Sequence, residues 1–297
     1  MSDGKIIINN RYIINKEIGS GGYASVFLAH DKIANKLVAI KVLNCQIENQ
    51  KAFNMFKQEA MTLAAISNKH IVRVYSNGVY EDNLYLVMEY VKGKSIKQLI
   101  VANGYLLLDE VYSYMLQIID GIEACHNNGI IHRDIKPQNL IKKADGSIVI
   151  IDFGTAFINQ EDVNLYKEDG STVIGTAQYM APELIDNPKG SIQTDIYAIG
   201  ITMYEMLTGK FPFNPKDPQD KKAILYMHIN VPFPSIRKVN PSIPLSFEKV
   251  INKCCNKDAK LRYKNVEELK IDLIEAYDNY KAPKKKNFLS FLFRGKK

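Results

Sequence analysis

The feature that most constrains this chain is the run 130–141, IIHRDIKPQNLI, together with Asp152 in the IDFG segment that follows it. The run carries Asp134 and Asn139 behind an apolar pair, and Asp152 directly follows the apolar stretch 148–151. That stretch has the length and composition of a short buried strand, and the glycine two residues after Asp152 lets the backbone turn sharply. Polar side chains placed where buried segments end indicate a functional site rather than ordinary surface residues.

Composition places the chain among soluble globular proteins. It has 297 residues, 46% apolar and 24% charged, which is enough for one large domain or two lobes with sizeable cores. The cysteines show no metal-ligand spacing, and a chain of this size needs no disulfides, so a reducing cytoplasmic location is the simpler interpretation. They are Cys45, Cys125, Cys254 and Cys255.

The formal charge of +7 is a property of the C-terminal tail. Residues 281–297 hold seven of the 39 basic residues and no acid, which leaves 32 basic and 32 acidic residues in the rest of the chain. A nucleic-acid-binding face is therefore not expected. No window reaches the roughly 18–20 apolar residues of a membrane helix, and the N-terminus has no signal-peptide pattern.

A glycine-rich tip joins two predicted strands near the N-terminus. The strands are 12–17 and 24–29, and the tip is GSGG at 19–22. Such a tip can bring backbone amides close to phosphate oxygens, but alone it is equally compatible with a plain flexible turn. A strand follows it instead of a helix, so it is not the dinucleotide-binding fingerprint.

The next strand carries a lysine that requires a partner. In 37–43, period two places Lys41 on the face opposite the apolar side chains of Val38 and Ile40. Such a lysine lies either at an edge, reaching water, or against an anion. The following helix, 53–66, has Glu59 beside its apolar stripe, where a carboxylate is costly without a cation. Lys41 is the available candidate.

Helices dominate the second half. The segment 84–93 is a strand that ends in a glycine turn, and it marks the predicted lobe boundary. A helix over 108–127 leads into the run 130–141, a polar loop follows at 159–171, and a helix from Asp195 is predicted to stop at Gly209.

Seven elements occur in the order found in eukaryotic-type protein kinases, and the chain resembles that family over roughly residues 11–278. They are the glycine loop, Val-Ala-Ile-Lys, the helix glutamate, His-Arg-Asp, Asp-Phe-Gly, Ala-Pro-Glu and a late arginine. The resemblance implies an α+β, bilobal kinase-like fold, with a β-rich small lobe at 12–88, a hinge at 89–93 and a mainly helical large lobe at 94–278. Residues 1–11 would be an N-terminal extension and 279–297 a basic, aromatic tail.

The resemblance also implies roles for the residues singled out above, following the worked kinase case of phosphoryl transfer. Asp134 accepts the substrate hydroxyl proton, and Lys136 balances charge on the transferring group. Lys41, oriented by Glu59, contacts the nucleotide phosphates. Metal binding, with Mg²⁺ or alternatively Mn²⁺, falls to Asn139 and Asp152.

The remaining implied residues line the ATP site or support the fold. The expected ATP-binding residues are Ile18, Gly19, Ser20, Gly21, Gly22, Tyr23, Ala24, Val26, Ala39, Lys41, Met88, Glu89, Val91 and Ile141. The expected structural residues are Arg133, Glu183, Asp195 and Arg262, with Arg262 paired to Glu183.

Lys136 after the aspartate and Thr176 before Ala-Pro-Glu resemble serine/threonine rather than tyrosine kinases. The sequence around both motifs is similar to that of the kinase domain of bacterial PASTA-repeat kinases. Arg133 beside the aspartate suggests autophosphorylation at Ser171 or Thr172, and less so at Thr176, within a homodimer. Negative charge from Glu168 and Asp169 is the competing interpretation.

The tail and the overall activity leave alternatives open. Residues 284–294 interleave cations with aromatic residues and would bind an anionic membrane surface, or would be a disordered tail or juxtamembrane linker. A pseudokinase scaffold is the main rival to an enzyme that acts on protein substrates, but the lysine and both aspartates are present. A small-molecule phosphotransferase is disfavoured by the Ala-Pro-Glu segment.

Overall fold

A computed structural model describes residues 6–20, 24–46, 57, 60–153, 177–217 and 220–282, with side chains described except at 44–46. The chain forms two lobes, a sheet followed by a mainly helical body. This confirms the predicted α+β, bilobal, kinase-like fold.

The small lobe contains an antiparallel sheet in the order β1-β2-β3-β4-β6-β5. Its strands are β1 (Ile7–Ile8), β2 (Tyr12–Ser20), β3 (Ala24–Asp31), β4 (Lys36–Gln46), β5 (Val74–Tyr80) and β6 (Asn83–Glu89). Between β4 and β5, residues 60–65 are helical. The sheet thus begins upstream of residue 12, because β1 pairs with β2 and Ile8 is buried.

Strand β4 shows the period-two alternation that the sequence predicts. Val38 and Ile40 are fully buried in one apolar cluster of the sheet, whereas Leu43 belongs to the main core on the opposite face. Lys41 is on the Leu43 face, because successive side chains of a strand alternate between the two faces. The lysine is therefore directed toward the junction of the lobes.

The large lobe packs helices around one central helix. Its elements are β7 (Lys94–Ser95), α1 (Ile96–Asn103), α2 (Leu108–His126), β8 (Leu140–Lys142), β9 (Ile148–Ile150), α3 (Ile192–Thr208), α4 (Lys221–Asn230), α5 (Leu245–Cys254) and α6 (Val266–Lys281). Helix α3 is buried on nearly all sides, so it has no polar face. It ends at Gly209, whose left-handed conformation closes the helix as predicted.

Short segments join the lobes beside the site. His70 and Val72 exchange backbone hydrogen bonds of 2.8 and 2.9 Å with Ile150 in β9. The His70 ring adds a 2.8 Å hydrogen bond with the Ile148 carbonyl. The strand that precedes Asp152 is thereby fixed to the segment that leads into β5.

Candidate active site

Two of the predicted catalytic residues, Asp134 and Lys136, lie in one tight loop together with Asn139. Lys136 Nζ donates to Asp134 Oδ2 at 2.6 Å, and Asn139 Nδ2 donates to the same oxygen at 3.0 Å. The 3-10 turn Pro137–Asn139 brings the asparagine back, and its amide also donates to the Asp134 carbonyl at 2.9 Å. Within the described residues, Asp134 Oδ1 accepts no hydrogen bond although it is buried. One oxygen of this carboxylate is thus held in place, and no described residue donates to the other.

The electrostatic environment favours proton acceptance by this carboxylate. Burial raises the pKa of Asp134, Lys136 opposes that rise, and the nearby Asp152 charge adds to it. A raised pKa makes an aspartate a stronger base than one on the surface. Burial also lowers the pKa of His132, so its ring is neutral at physiological pH.

The backbone before Asp134 is held by hydrogen bonds to Asp195, at the N-terminal end of α3. The fully buried Asp195 carboxylate accepts from the amides of His132 at 2.9 Å and Arg133 at 2.7 Å, and from His126 Nε2 at 2.8 Å. Arg133 has φ 63°, a conformation that non-glycine residues adopt at a cost. The hydrogen bonds that the His132 and Arg133 amides donate to Asp195 hold the loop in that shape.

The histidine that shares Asp195 was not predicted. Burial would raise the pKa of Asp195, but the hydrogen bond and charge of His126 and the His132 amide lower it below its ordinary value. His126 is the last residue of α2, and no local pattern in the sequence indicates a histidine–carboxylate pair there.

The lysine of β4 and the aspartate after β9 meet across the lobes. Lys41 Nζ forms an ion pair with Asp152 Oδ1, and the Lys41 side chain is 6% exposed against 35% for Asp152. Asp152 has φ 67°, which turns the chain away from β9. The Phe153 ring packs against the His132 ring, with 4.5 Å between the ring centroids. Glu59, the predicted partner of Lys41, lies outside the described residues.

The predicted ATP-binding residues fall on neighbouring strands. Sheet register pairs Gly19 with Val26, Val26 with Lys41, and Ala39 with Met88. Ile18 and Ser20 are exposed at the end of β2, Ala24 is buried in β3, and Ile141 is half-buried in β8. Gly21, Gly22 and Tyr23 lie outside the described residues.

The predicted hinge, residues 89–93, follows β6 and contains no helix. The Glu89 amide donates to the Arg73 carbonyl at 2.8 Å, so this amide is already engaged within the protein. Val91 packs against the main core. A Cβ on Gly93 would approach the Lys142 carbonyl oxygen to 2.3 Å, so β8 lies close beneath this segment.

The Ala-Pro-Glu glutamate and the late arginine form a two-bond ion pair. Arg262 Nη1 and Nη2 donate to Glu183 at 2.7 and 2.8 Å, and the arginine side chain is fully buried. Arg262 also donates to the carbonyls of Gln193 and Asn256 at 2.8 and 2.7 Å. The pair thereby joins the segment after the loop to α3. Gly154, Ser171, Thr172 and Thr176 lie outside the described residues.

The donor set at the cleft fits a hard divalent cation. Asn139 and Asp152 offer amide and carboxylate oxygens, which Mg²⁺ prefers together with phosphate and water. Asn139 uses its amide nitrogen for Asp134, which leaves its side-chain oxygen for a metal. In the described part of the chain no three His, Cys, Asp or Glu side chains could hold a metal by themselves, so a metal held by Asn139 and Asp152 would need further oxygens from a nucleotide and from water.

Comparison with known proteins gives a consistent result. Residues 12–273 match the protein kinase domain family. The chain is 39% identical over 272 residues to the probable serine/threonine-protein kinase PknB of Lactococcus lactis, covering 91% of this chain and 42% of that protein. It is 37% identical over 272 residues to the serine/threonine-protein kinase PrkC of Bacillus subtilis, covering 91% of this chain and 41% of that protein.

The chain spans about two fifths of the length of these curated relatives. Among the described residues, no helix has the length and apolar character needed to cross a membrane.

Proposed function

Because the chain belongs to the protein kinase family, we propose that it transfers the γ-phosphate of ATP to serine and threonine hydroxyls of protein substrates. The observation that carries the proposal is the convergence of Lys41 and Asp152 across the lobes, beside a buried Asp134 with one unoccupied oxygen. The names of the relatives support serine and threonine as acceptors. We place the catalytic unit at 12–278, flanked by an extension at 1–11, which contributes β1 to the sheet, and by a tail at 279–297.

Each residue has a distinct task in this proposal. The acceptor hydroxyl oxygen attacks the γ-phosphorus while its proton passes to Asp134 Oδ1, the oxygen that no described residue occupies. Lys136 and Asn139 hold Oδ2 and so fix the direction of the carboxylate. Lys41 provides positive charge for the nucleotide phosphates, and the bond to ADP breaks as the phosphoryl group moves.

Mg²⁺, or alternatively Mn²⁺, would be held by Asn139 and Asp152, where it neutralises phosphate charge. Without nucleotide, Lys41 neutralises Asp152 instead. Nucleotide binding therefore requires this ion pair to exchange partners, the lysine for phosphate and the aspartate for metal.

The enzyme assignment is tested by comparing wild type with Asp134→Asn in a cell lysate with labelled ATP and Mg²⁺. Asp145→Asn, the same change in an exposed turn, is the matched control. We expect label transfer by wild type and Asp145→Asn, and its loss in Asp134→Asn because the proton acceptor is gone. Equal label with all three proteins, or none with any, would refute the assignment. The second outcome, with ATP binding retained, would favour the pseudokinase alternative.

We further propose autophosphorylation at Ser171 or Thr172, with Thr176 as a weaker candidate, because Arg133 next to Asp134 can bind a phosphorylated side chain. Mass spectrometry after incubation with ATP and Mg²⁺, with Lys41→Met as the inactive control, locates the site. Full activity of an unmodified enzyme would contradict this proposal. Survival of activity after alanine substitution at both hydroxyls would support the Glu168 and Asp169 alternative.

Two partners beyond protein substrates complete the proposal. A second copy of the chain would act in the autophosphorylation step, so wild type should label Lys41→Met protein at a rate that rises with enzyme concentration. The tail would bind an anionic membrane surface from a cytoplasmic location. Vesicle co-sedimentation with and without residues 281–297 tests this, and equal binding by both proteins would exclude it.

A further inference from the structure

A buried carboxylate lies beside the catalytic loop and has no part in the chemistry proposed above. Glu205 lies in α3 and is completely buried. Lys97 Nζ donates to its Oε1 at 2.6 Å, and the Tyr179 hydroxyl donates to Oε2. These three residues come from α1, from the 3-10 turn Ala177–Tyr179 and from α3, so tertiary structure alone brings them together.

This cluster is adjacent to the groups that hold the catalytic aspartate. The Tyr179 hydroxyl lies 3.4 Å from Gln138 Oε1, and Gln138 is in the same turn as Asn139. Helix α1 packs against that turn. Burial raises the pKa of Tyr179, the Glu205 charge raises it further, and Asp134 also contributes, so the hydroxyl is within electrostatic reach of Asp134.

The surroundings of Glu205 have the chemistry of a cation site. A buried carboxylate is strongly unfavourable without a cation. Lys97 supplies that cation from α1, which is distant from Glu205 in the sequence. Lys97 Nζ also lies over the Phe211 ring, 5.2 Å from its centroid, and Tyr179 packs edge-on against that ring at 5.5 Å. A carboxylate with an aromatic face beside it suits an ammonium or guanidinium group.

The cation that fills this site is accessible from outside. The Lys97 side chain is 32% exposed, whereas Glu205 beneath it is 1% exposed. The Tyr179 hydroxyl contacts Gln138, in the turn that brings Asn139 onto Asp134. A peptide placed with its hydroxyl at Asp134 would therefore run close to Lys97.

We propose that Glu205, Tyr179 and Phe211 form a cation site next to the acceptor site, that Lys97 occupies it, and that Lys97 thereby selects against arginine or lysine near the phosphorylated residue. The inference rests on the proposed kinase function. Removing Lys97 leaves the carboxylate available to a basic side chain of the peptide. Lys97 would then act as a specificity-determining residue and not as a catalytic one.

The test is an arginine scan. A neutral serine peptide and a set with single arginines at each of the four positions on either side of the serine are assayed with wild type and with Lys97→Ala. We expect Lys97→Ala to favour one arginine position over the neutral peptide by about tenfold or more, since a hydrogen bond to a charged group is worth at least that ratio. Wild type should show no such preference.

Two further variants separate specificity from structural damage. Lys97→Arg keeps a cation in the site and should keep the wild-type pattern. Lys97→Ala/Glu205→Gln removes the carboxylate and should lose the arginine preference, whereas general damage would lower the rates for all peptides alike. If Lys97→Ala does not fold, Lys97→Gln retains a hydrogen-bond donor to Glu205 and replaces it in the scan. An unchanged ratio at every position, in a variant that phosphorylates the neutral peptide, overturns the inference.

A binding measurement decides the matter independently of turnover. n-Butylammonium should raise the Tm of Lys97→Ala but not that of wild type or of Lys97→Ala/Glu205→Gln. Equal responses in the three proteins overturn the cation site. Loss of peptide phosphorylation by wild type, with the n-butylammonium effect intact, would instead overturn the proposed function and leave the cation site standing.

Discussion

Replacing Asp195 by asparagine tests how the catalytic loop is held. The carboxylate accepts from the Arg133 amide through Oδ1, and from the His132 amide and His126 through Oδ2. Asparagine has only one side-chain oxygen. The more favourable orientation of its amide keeps the hydrogen bonds from the His132 amide and His126, and it turns the amide nitrogen toward the Arg133 N–H. That donor is then buried and unsatisfied, at a cost of about 1–3 kcal/mol.

The two surviving hydrogen bonds also lose their charged acceptor. Hydrogen bonds to charged groups contribute about 1.5–3 kcal/mol against about 0.5–1.5 kcal/mol for neutral ones, so this adds roughly 1 kcal/mol for each bond. We therefore expect Asp195→Asn to lower the free energy of unfolding by about 3–5 kcal/mol. Arg133 is no longer held at its positive φ, which displaces Asp134, and a displacement near 1 Å can cost on the order of 100-fold in kcat.

Urea unfolding and steady-state kinetics on the same samples measure both effects. The control is Asp109→Asn, because Asp109 forms an exposed ion pair with Lys281 at 2.7 Å, and such pairs contribute at most about 1 kcal/mol. If Asp195→Asn were no more destabilising than Asp109→Asn, the account of how the loop is held would be wrong.

The pH profile of kcat/KM tests the environment of Asp134. Burial raises the pKa of Asp134, and only the ionised carboxylate accepts a proton. Activity should therefore fall with decreasing pH, at a midpoint above the ordinary aspartate pKa of about 3.9. Lys136→Ala removes the strongest opposing influence, so its acid limb should move to higher pH, and a shift to lower pH would contradict this. Gly209→Ala and Gly129→Ala both introduce a Cβ at positive φ, at a cost of about 1–2 kcal/mol. Only the Cβ at 209 meets backbone, 1.8 Å from the Gly104 oxygen, so Gly209→Ala should lose a further 1–3 kcal/mol or so in urea unfolding, and equal losses would show that this contact yields freely.

Local periodicity predicted the elements that the lobes are made of. The alternation in β4 and the apolar repeat of α2 depend on neighbouring residues only, and both were confirmed. The stop at Gly209 was equally local, because a helix that ends in a left-handed residue favours glycine there. The family match confirmed the order of motifs as a kinase domain.

The contacts within the site required more than local pattern. Lys41 and Asp152 are far apart in sequence, and only the resemblance placed them together. Asp195 was expected as a structural residue, but nothing local to it shows that it accepts from two backbone amides and a histidine. Such bonds depend on the path of a loop, which the side-chain sequence does not record.

The Lys97–Glu205 pair was missed although a signal exists. Lys97 is near the start of a short helix, where a lysine is ordinarily a surface residue. Glu205 is different, because it interrupts the buried and mostly apolar stretch 196–207 of α3. A carboxylate in such a helix predicts a cation nearby, and applying that argument to α3 as it was applied to Glu59 would have pointed to a partner.

Helix α3 connects the catalytic loop to the proposed cation site. Asp195 near its start holds the backbone of the catalytic loop, and Glu205 near its end anchors the cation site. Ten residues of α-helix span about 15 Å, and burial of residues 194–208 prevents the helix from tilting without disturbing the core. The distance from the proton acceptor to the cation site is therefore fixed by one rigid element. In Lys97→Ala, an arginine in a substrate should consequently be recognised at one position relative to the serine, and not across a range of positions.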